Sequence, residues 1–170
     1  GTSGETIWPQ PHHHGKVPES STAVGRGQAG SGGGAYHLAL RGLKGGRPYL
    51  MRLPLGGGGG ASGRGDGLSN GDSGARFTVF PALERLEWSY PIRTLRYALR
   101  PGSGGPGRYT GGMGTVFEFE LLDGPALLTL FCDRSRRGPG GLQRGARGAT
   151  TQVRVWREGH WQDLPHGTKG

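Results

Sequence analysis

From Tyr36 onward the chain is a series of short apolar runs punctuated by glycine. Tyr36–Leu40 and Tyr49–Leu55 are each of strand length, and Gly45-Gly46 between them is a turn pair. Phe77–Phe80 is strand-like, and Pro81 can open a short helix over 82–87. Ile92–Arg100 alternates, with Leu95, Tyr97 and Leu99 on one face. Thr115–Leu122 alternates more cleanly. Phe117, Phe119 and Leu121 face one way, Glu118 and Glu120 the other, which predicts a half-buried strand with both glutamates outward. Ala126–Cys132 is apolar apart from Thr129 and predicts a fully buried strand. Asp123-Gly124-Pro125 before it has hairpin chemistry. Gln152–Trp156 is a last strand, followed by a turn at Glu158-Gly159-His160. The expected fold is α+β but mainly β, with antiparallel strands, long glycine-rich loops and little helix.

Three segments break this pattern. Residues 1–35 show no sustained apolar period and predict a poorly ordered or extended leader, with the β-rich part running over 36–170. Residues 56–76 and 101–114 are too rich in glycine for a helix or strand interior. Glycine supplies 38 of the 170 residues and proline 12, a load usually met in low-complexity chains. The 102–114 loop is expected to be ordered, lying against other glycine-rich loops and placing Arg108 where it can meet an anion. Ordering so much glycine has a high entropy cost. The chain is long enough for one domain with a core. No apolar run is long enough to be a membrane-spanning helix.

The net charge of +9 points first to nucleic acid. Its distribution argues against that. Residues 1–84 carry 8 basic and 5 acidic side chains, and residues 85–170 carry 13 and 7, with no concentrated block. Only Lys16, Lys44 and Lys169 are lysines, a bias that GC-rich codons also produce. One cysteine, Cys132, excludes an internal disulfide and reads as an inert core thiol, compatible with a reducing cytoplasm. The chain starts Gly1-Thr2-Ser3 with neither initiator methionine nor leader pattern, which predicts a portion of something longer.

Several motifs invite chemistry and fail on their surroundings. Gly71-Asp72-Ser73-Gly74 copies the setting of a protease serine, but no matching histidine segment lies upstream. Arg64-Gly65-Asp66 is what an Arg/Gly-rich loop produces by chance. His12-His13-His14 lacks a second ligand cluster, so no metal site is expected. The glycine runs resemble phosphate cradles, yet the Gly-x-x-x-x-Gly-Lys-Ser/Thr pattern is absent. Arg108, beside Gly105-Pro106-Gly107, is a candidate to meet an anion. Glu84 and Glu87, three apart, are either a catalytic carboxylate pair or capping and surface residues. Asp133 and Arg134 form either a site element or a structural ion pair.

The order of landmarks carries more. Gly56–Gly60-Ala61, Asp66-Gly67, Glu84-x-x-Glu87-x-x-x-Pro91, the Ser103–Gly114 stretch, Asp133-Arg134 and Pro139-Gly140-Gly141-Leu142 follow one another. This series resembles the hydantoinase B/5-oxoprolinase family, including its acetone and acetophenone carboxylase relatives. Three positions depart from the family pattern: Gly102 where an acid is usual, Thr110 where Arg is common, and Arg144-Gly145 for a second Gly-Gly. The resemblance implies a carboxyl-terminal portion of a hydrolase subunit that opens cyclic amides such as 5-oxoproline or hydantoins. It implies a hydantoinase A-type ATP-binding partner, ATP and a divalent metal in the complete enzyme, no cofactor on this chain, and no activity alone. It makes Arg108, Glu84 and Glu87 catalytic candidates, and Asp66, Ser103, Asp133 and Arg134 substrate-binding ones. The alternatives are an ATP-dependent carboxylase subunit or a non-catalytic scaffold module. A cytoplasmic hetero-oligomer is expected, without membrane or nucleic-acid partners.

Overall fold

The computed structural model describes residues 36–71, 80–132 and 134–164. The expected leader 1–35, the His12–His14 run, Asp72-Ser73, most of the Phe77–Phe80 strand and Asp133 lie outside these residues. The described chain is mainly antiparallel β with one short helix. Strands β1 (Tyr36–Lys44) and β2 (Arg47–Leu55) form a hairpin. Gly45 and Gly46 close it with φ of 54° and 78°, the paired positive values that a twist-matched two-residue turn requires. Helix α1 (Leu83–Ser89) follows Pro81 and leads into β3 (Ile92–Leu99). Then come β4 (Thr115–Leu121), β5 (Ala126–Phe131), β6 (Arg154–Arg157) and β7 (His160–Asp163).

The strands assemble as a three-stranded sheet β2-β1-β5 and two ribbons, β3-β4 and β6-β7. One face of the sheet supplies Leu38, Leu40, Met51 and Leu53, all buried. Leu86 of α1 and Ile92 of β3 close over them, with Phe117, Phe119, Leu128 and Leu130 packed at the margin. An aromatic cluster extends this core. Phe80 stacks on Tyr97 at 4.3 Å between ring centroids, and Phe117 meets Phe80, Tyr97 and Phe119 at 5.7, 6.0 and 5.3 Å.

Four expectations are corrected. Asp123-Gly124-Pro125 makes no hairpin: β4 pairs with β3 and β5 with β1, so the segment crosses between sheets. Asp123 instead accepts the Gly45 amide of the β1–β2 turn at 3.4 Å. Strand β5 is half-buried rather than fully buried, because it is a sheet edge with one face on the core; Phe131 is 66% exposed. Leu121 is exposed because α1 packs on β3 and covers Ile92, not its β4 partner. Leu95 does not share the face of Tyr97, since a bulge between Thr94 and Arg96 leaves it outside the ladder and 61% exposed. The turn foreseen at 158–160 is real, with Glu158 and Gly159 at φ 53° and 80°, and it joins β6 to β7, a strand the pattern did not show. No helix among the described residues is long and apolar enough to cross a membrane.

Candidate functional site

Three glycine-rich loops meet on one side of the strands: 56–71 after β2, 100–114 between β3 and β4, and 134–153 between β5 and β6. Backbone hydrogen bonds lock them. Gly112 N donates to Gly59 O at 2.8 Å, Gly67 N to Thr110 O at 2.9 Å, and Asn70 N to Met113 O at 2.8 Å. On the other flank, Ala146 N donates to Pro106 O at 2.8 Å and Ala149 N to Ser103 O at 2.9 Å. The glycines are needed for proximity. A Cβ on Gly58 would overlap the Gly112 carbonyl, and one on Gly105 would overlap the Ala146 carbonyl. The 102–114 loop is therefore ordered against the other two, as the density of glycine suggested.

The polar residues foreseen in these loops serve as backbone ties. Asp66 Oδ1 accepts the Thr110 amide at 2.7 Å. Ser103 Oγ donates to Arg100 O at 2.7 Å and accepts the Gly114 amide at 2.9 Å. Ser69 Oγ accepts the Met113 amide at 3.0 Å, and Thr115 Oγ1 donates to Gly56 O at 2.8 Å. Arg100 crosses the gap, its guanidinium donating to Thr150 O at 2.8 Å and Gln152 Oε1 at 3.1 Å.

Between the loops and the strands lies a cleft of about 800 Å³. Its wall includes Gly56–Gly59, Gly104–Arg108, the β4 run Val116–Phe119, Cys132 and Trp161. Among the described residues its charged lining is one-sided: Arg96, Arg100, Arg108 and Arg154 against Glu118, with His37 also in the lining. Such a lining favours an anionic ligand or one with exposed carbonyl oxygens. Arg108 is exposed, with its guanidinium carbon 5.5 Å from the Tyr109 ring centroid. Arg154 sits 5.3 Å over the Trp161 ring, which also meets Trp156 at 5.4 Å.

Not all foreseen candidates gather here. Arg108 and Ser103 line the cleft; Glu84, Glu87, Asp66 and Arg134 do not. Glu84 and Glu87 sit exposed on α1, and Glu87 Oε1 accepts the Thr94 amide at 2.7 Å, tying the helix to β3. Arg134 is exposed with φ 61°, and its carbonyl accepts the Thr151 amide at 3.2 Å. Asp133 is outside the described residues. Sequence reasoning passed over Arg96, Arg154 and Trp161, and it sent Glu118 to solvent. Glu118 is half-buried in the cleft wall instead. Cys132 is half-buried at the same wall rather than in the core. No three His, Cys, Asp or Glu side chains converge on a metal-sized site among the described residues, so they do not supply the ligand set of the implied metal.

The mainly β scaffold thus holds a cationic, glycine-lined cleft on interlocked loops. The chain belongs to the Hydantoinase B/oxoprolinase family, which it matches over residues 20–169. It is 37% identical over 98 residues to 5-oxoprolinase 1 of Arabidopsis thaliana, covering 56% of this chain and 8% of that protein. It is 50% identical over 40 residues to the caprolactamase beta subunit of Pseudomonas jessenii, covering 24% of this chain and 7% of that subunit. An uncharacterised protein of Methanocaldococcus jannaschii is 36% identical over 77 residues, 45% of this chain and 14% of that protein. The chain thus spans a small part of the curated relatives it matches.

Proposed function

We propose that the cleft is the substrate-facing part of a cyclic amide hydrolase subunit, completed by an ATP-binding hydantoinase A-type partner in a cytoplasmic hetero-oligomer. The observation that carries this reading is the one-sided lining, four arginines against one glutamate among the described residues, beside loops that backbone hydrogen bonds hold together. The relatives' names point to oxoproline and caprolactam, both of them lactams. As the family resemblance implies, ATP and the divalent metal belong in this reading to the complete enzyme, with ATP on the partner. Arg108 meets the negative charge of the substrate or of its opening carbonyl. Asp66 and Ser103 hold the loops that place it.

The test is an assay of the complete enzyme with 5-oxoproline or hydantoin, ATP and magnesium. Arg108→Ala is expected to lower turnover at least tenfold, about the loss of one charge-assisted contact, with little change in Tm because the side chain is exposed. Full activity in that variant would remove Arg108 from the mechanism. Robust turnover by this chain without a partner would overturn the partner-dependent reading.

A further inference from the structure

The β3-β4 ribbon carries two Arg–Glu rungs that behave differently. In the first, Arg93 and Glu120 lie opposite each other, exposed, and pair at 3.3 Å. In the second, Arg96 and Glu118 lie opposite each other, and both are among the residues that line the cleft. Opposite charges in register on one ribbon normally close on each other. Here neither side chain makes a hydrogen bond or ion pair among the described residues. The bulge between Thr94 and Arg96 resets the ladder, so that both rungs stand on one face of the ribbon although the arginines are three apart. Glu118 is also the one carboxylate among the described residues lining the cleft.

An open Arg–Glu rung presents hydrogen-bond donors beside an acceptor. The neutral group that answers both has an acceptor and a donor on the same edge. An amide in a small ring meets that demand, because the ring forces the cis form and puts N–H and C=O side by side. An open-chain amide is trans and shows them on opposite edges. We infer that Glu118 and Arg96 together read the cis-amide edge of a lactam ring, Glu118 accepting the ring N–H and Arg96 donating to the carbonyl oxygen. This rests on the cyclic amide reading of the cleft and adds to it the residues that distinguish ring from opened chain. Arg96 aimed at the carbonyl would also stabilise negative charge developing there.

The probe is 2-pyrrolidinone, which has the cis-amide edge and no carboxylate, so the general attraction of the arginines for anions contributes nothing. It is titrated into the 15N-labelled chain and followed by amide chemical shifts, with N-methylacetamide as the trans-amide control. The expected result is saturable shifts around Arg96 and Glu118 with the lactam and none with the control. Glu118→Ala and Arg96→Ala are each expected to weaken binding about tenfold, and Glu120→Ala to leave it unchanged. Glu118→Gln keeps an acceptor and the side-chain volume, and is expected to fall in between. It carries the test if the spectrum of Glu118→Ala shows a lost fold. Lactam binding that survives both Glu118 substitutions overturns the inference and leaves the cleft reading standing, as does equal binding of N-methylacetamide. A wild-type chain that does not bind 2-pyrrolidinone overturns both.

Discussion

Around Met51 and Leu53 the backbone is held by what its side chains bury, both being almost wholly out of solvent. Around Gly58 and Gly112 it is held with scarcely any side chains, by carbonyls and amides that approach until no Cβ would fit. The first region follows the hydrophobic pattern and tolerates changes of shape at some cost. The second draws its order from backbone hydrogen bonds and close contact, which must exceed the large entropy of so much glycine. A cleft walled in part by the second kind of material presents backbone and a few guanidinium groups beside apolar side chains such as Phe117, Phe119 and Leu130.

The largest expected effect separates glycines that look alike in sequence. Gly112→Val places a side chain against the Leu68 carbonyl and Ser69 amide, with no flexible neighbour to yield. It is expected to cost more than about 4 kcal/mol or to abolish folding. Gly65 has open space around its missing Cβ and no positive φ. Gly65→Ala is expected to be neutral or to gain up to about 1 kcal/mol by restricting the unfolded chain. Urea unfolding of both variants checks the pair. Equal midpoints would break the claim that close backbone contact orders the cluster.

A second contrast lies within β4. Phe117 is shared by the core and the aromatic cluster, whereas Leu121 is at the open edge and 36% exposed. Phe117→Ala is expected to cost roughly 3–5 kcal/mol and Leu121→Ala much less. Similar losses in thermal unfolding would restore the single buried face that alternation alone suggests.

That pair also marks how far the sequence could be read. Short apolar runs placed β1, β2 and β5, alternation placed β3 and β4, and the Gly45-Gly46 and Glu158-Gly159 turns were legible because each demands a positive φ. The crossover at Asp123-Gly124-Pro125 was not, because turn chemistry names a reversal without naming the strand it leads to. The site was legible only where glycine density gave it away, at 56–60 and 102–114. Glu118 was hidden by the same alternation that made its strand obvious. A face turned from the hydrophobic core is not uniformly turned to solvent: Glu120 is exposed, whereas Glu118 on the same face is half-buried and lines the cleft. The bulge at Leu95, which decides where Arg96 stands, has no glycine or proline to announce it.

The smallest effect tests the polar satisfaction of the two regions. In the loop cluster Asp66, Ser69, Ser103 and Thr115 all have partners. In the side-chain-driven region, the Tyr49 hydroxyl and Thr94 Oγ1 are shielded from solvent with no hydrogen-bond partner among the described residues. Burial of Tyr49, and then the nearby negative charge of Asp123, raise its pKa above the usual phenol value. Phenolate is thus harder to form in the folded chain than in the unfolded one. Below about pH 10 both states are protonated and this group gives stability no pH dependence. Above it the unfolded chain loses its proton first, so stability falls as pH rises, until the folded phenol ionises as well. Tyr49→Phe removes the orphaned hydroxyl and keeps the ring that meets Tyr90 at 5.9 Å. It is expected to be neutral or stabilising by up to about 1 kcal/mol at neutral pH. It should also flatten the alkaline arm of the stability profile measured by urea unfolding between pH 8 and about 11. A loss of stability in Tyr49→Phe would mean that the hydroxyl has a partner, and that the sheet, like the loop cluster, leaves no polar group unanswered.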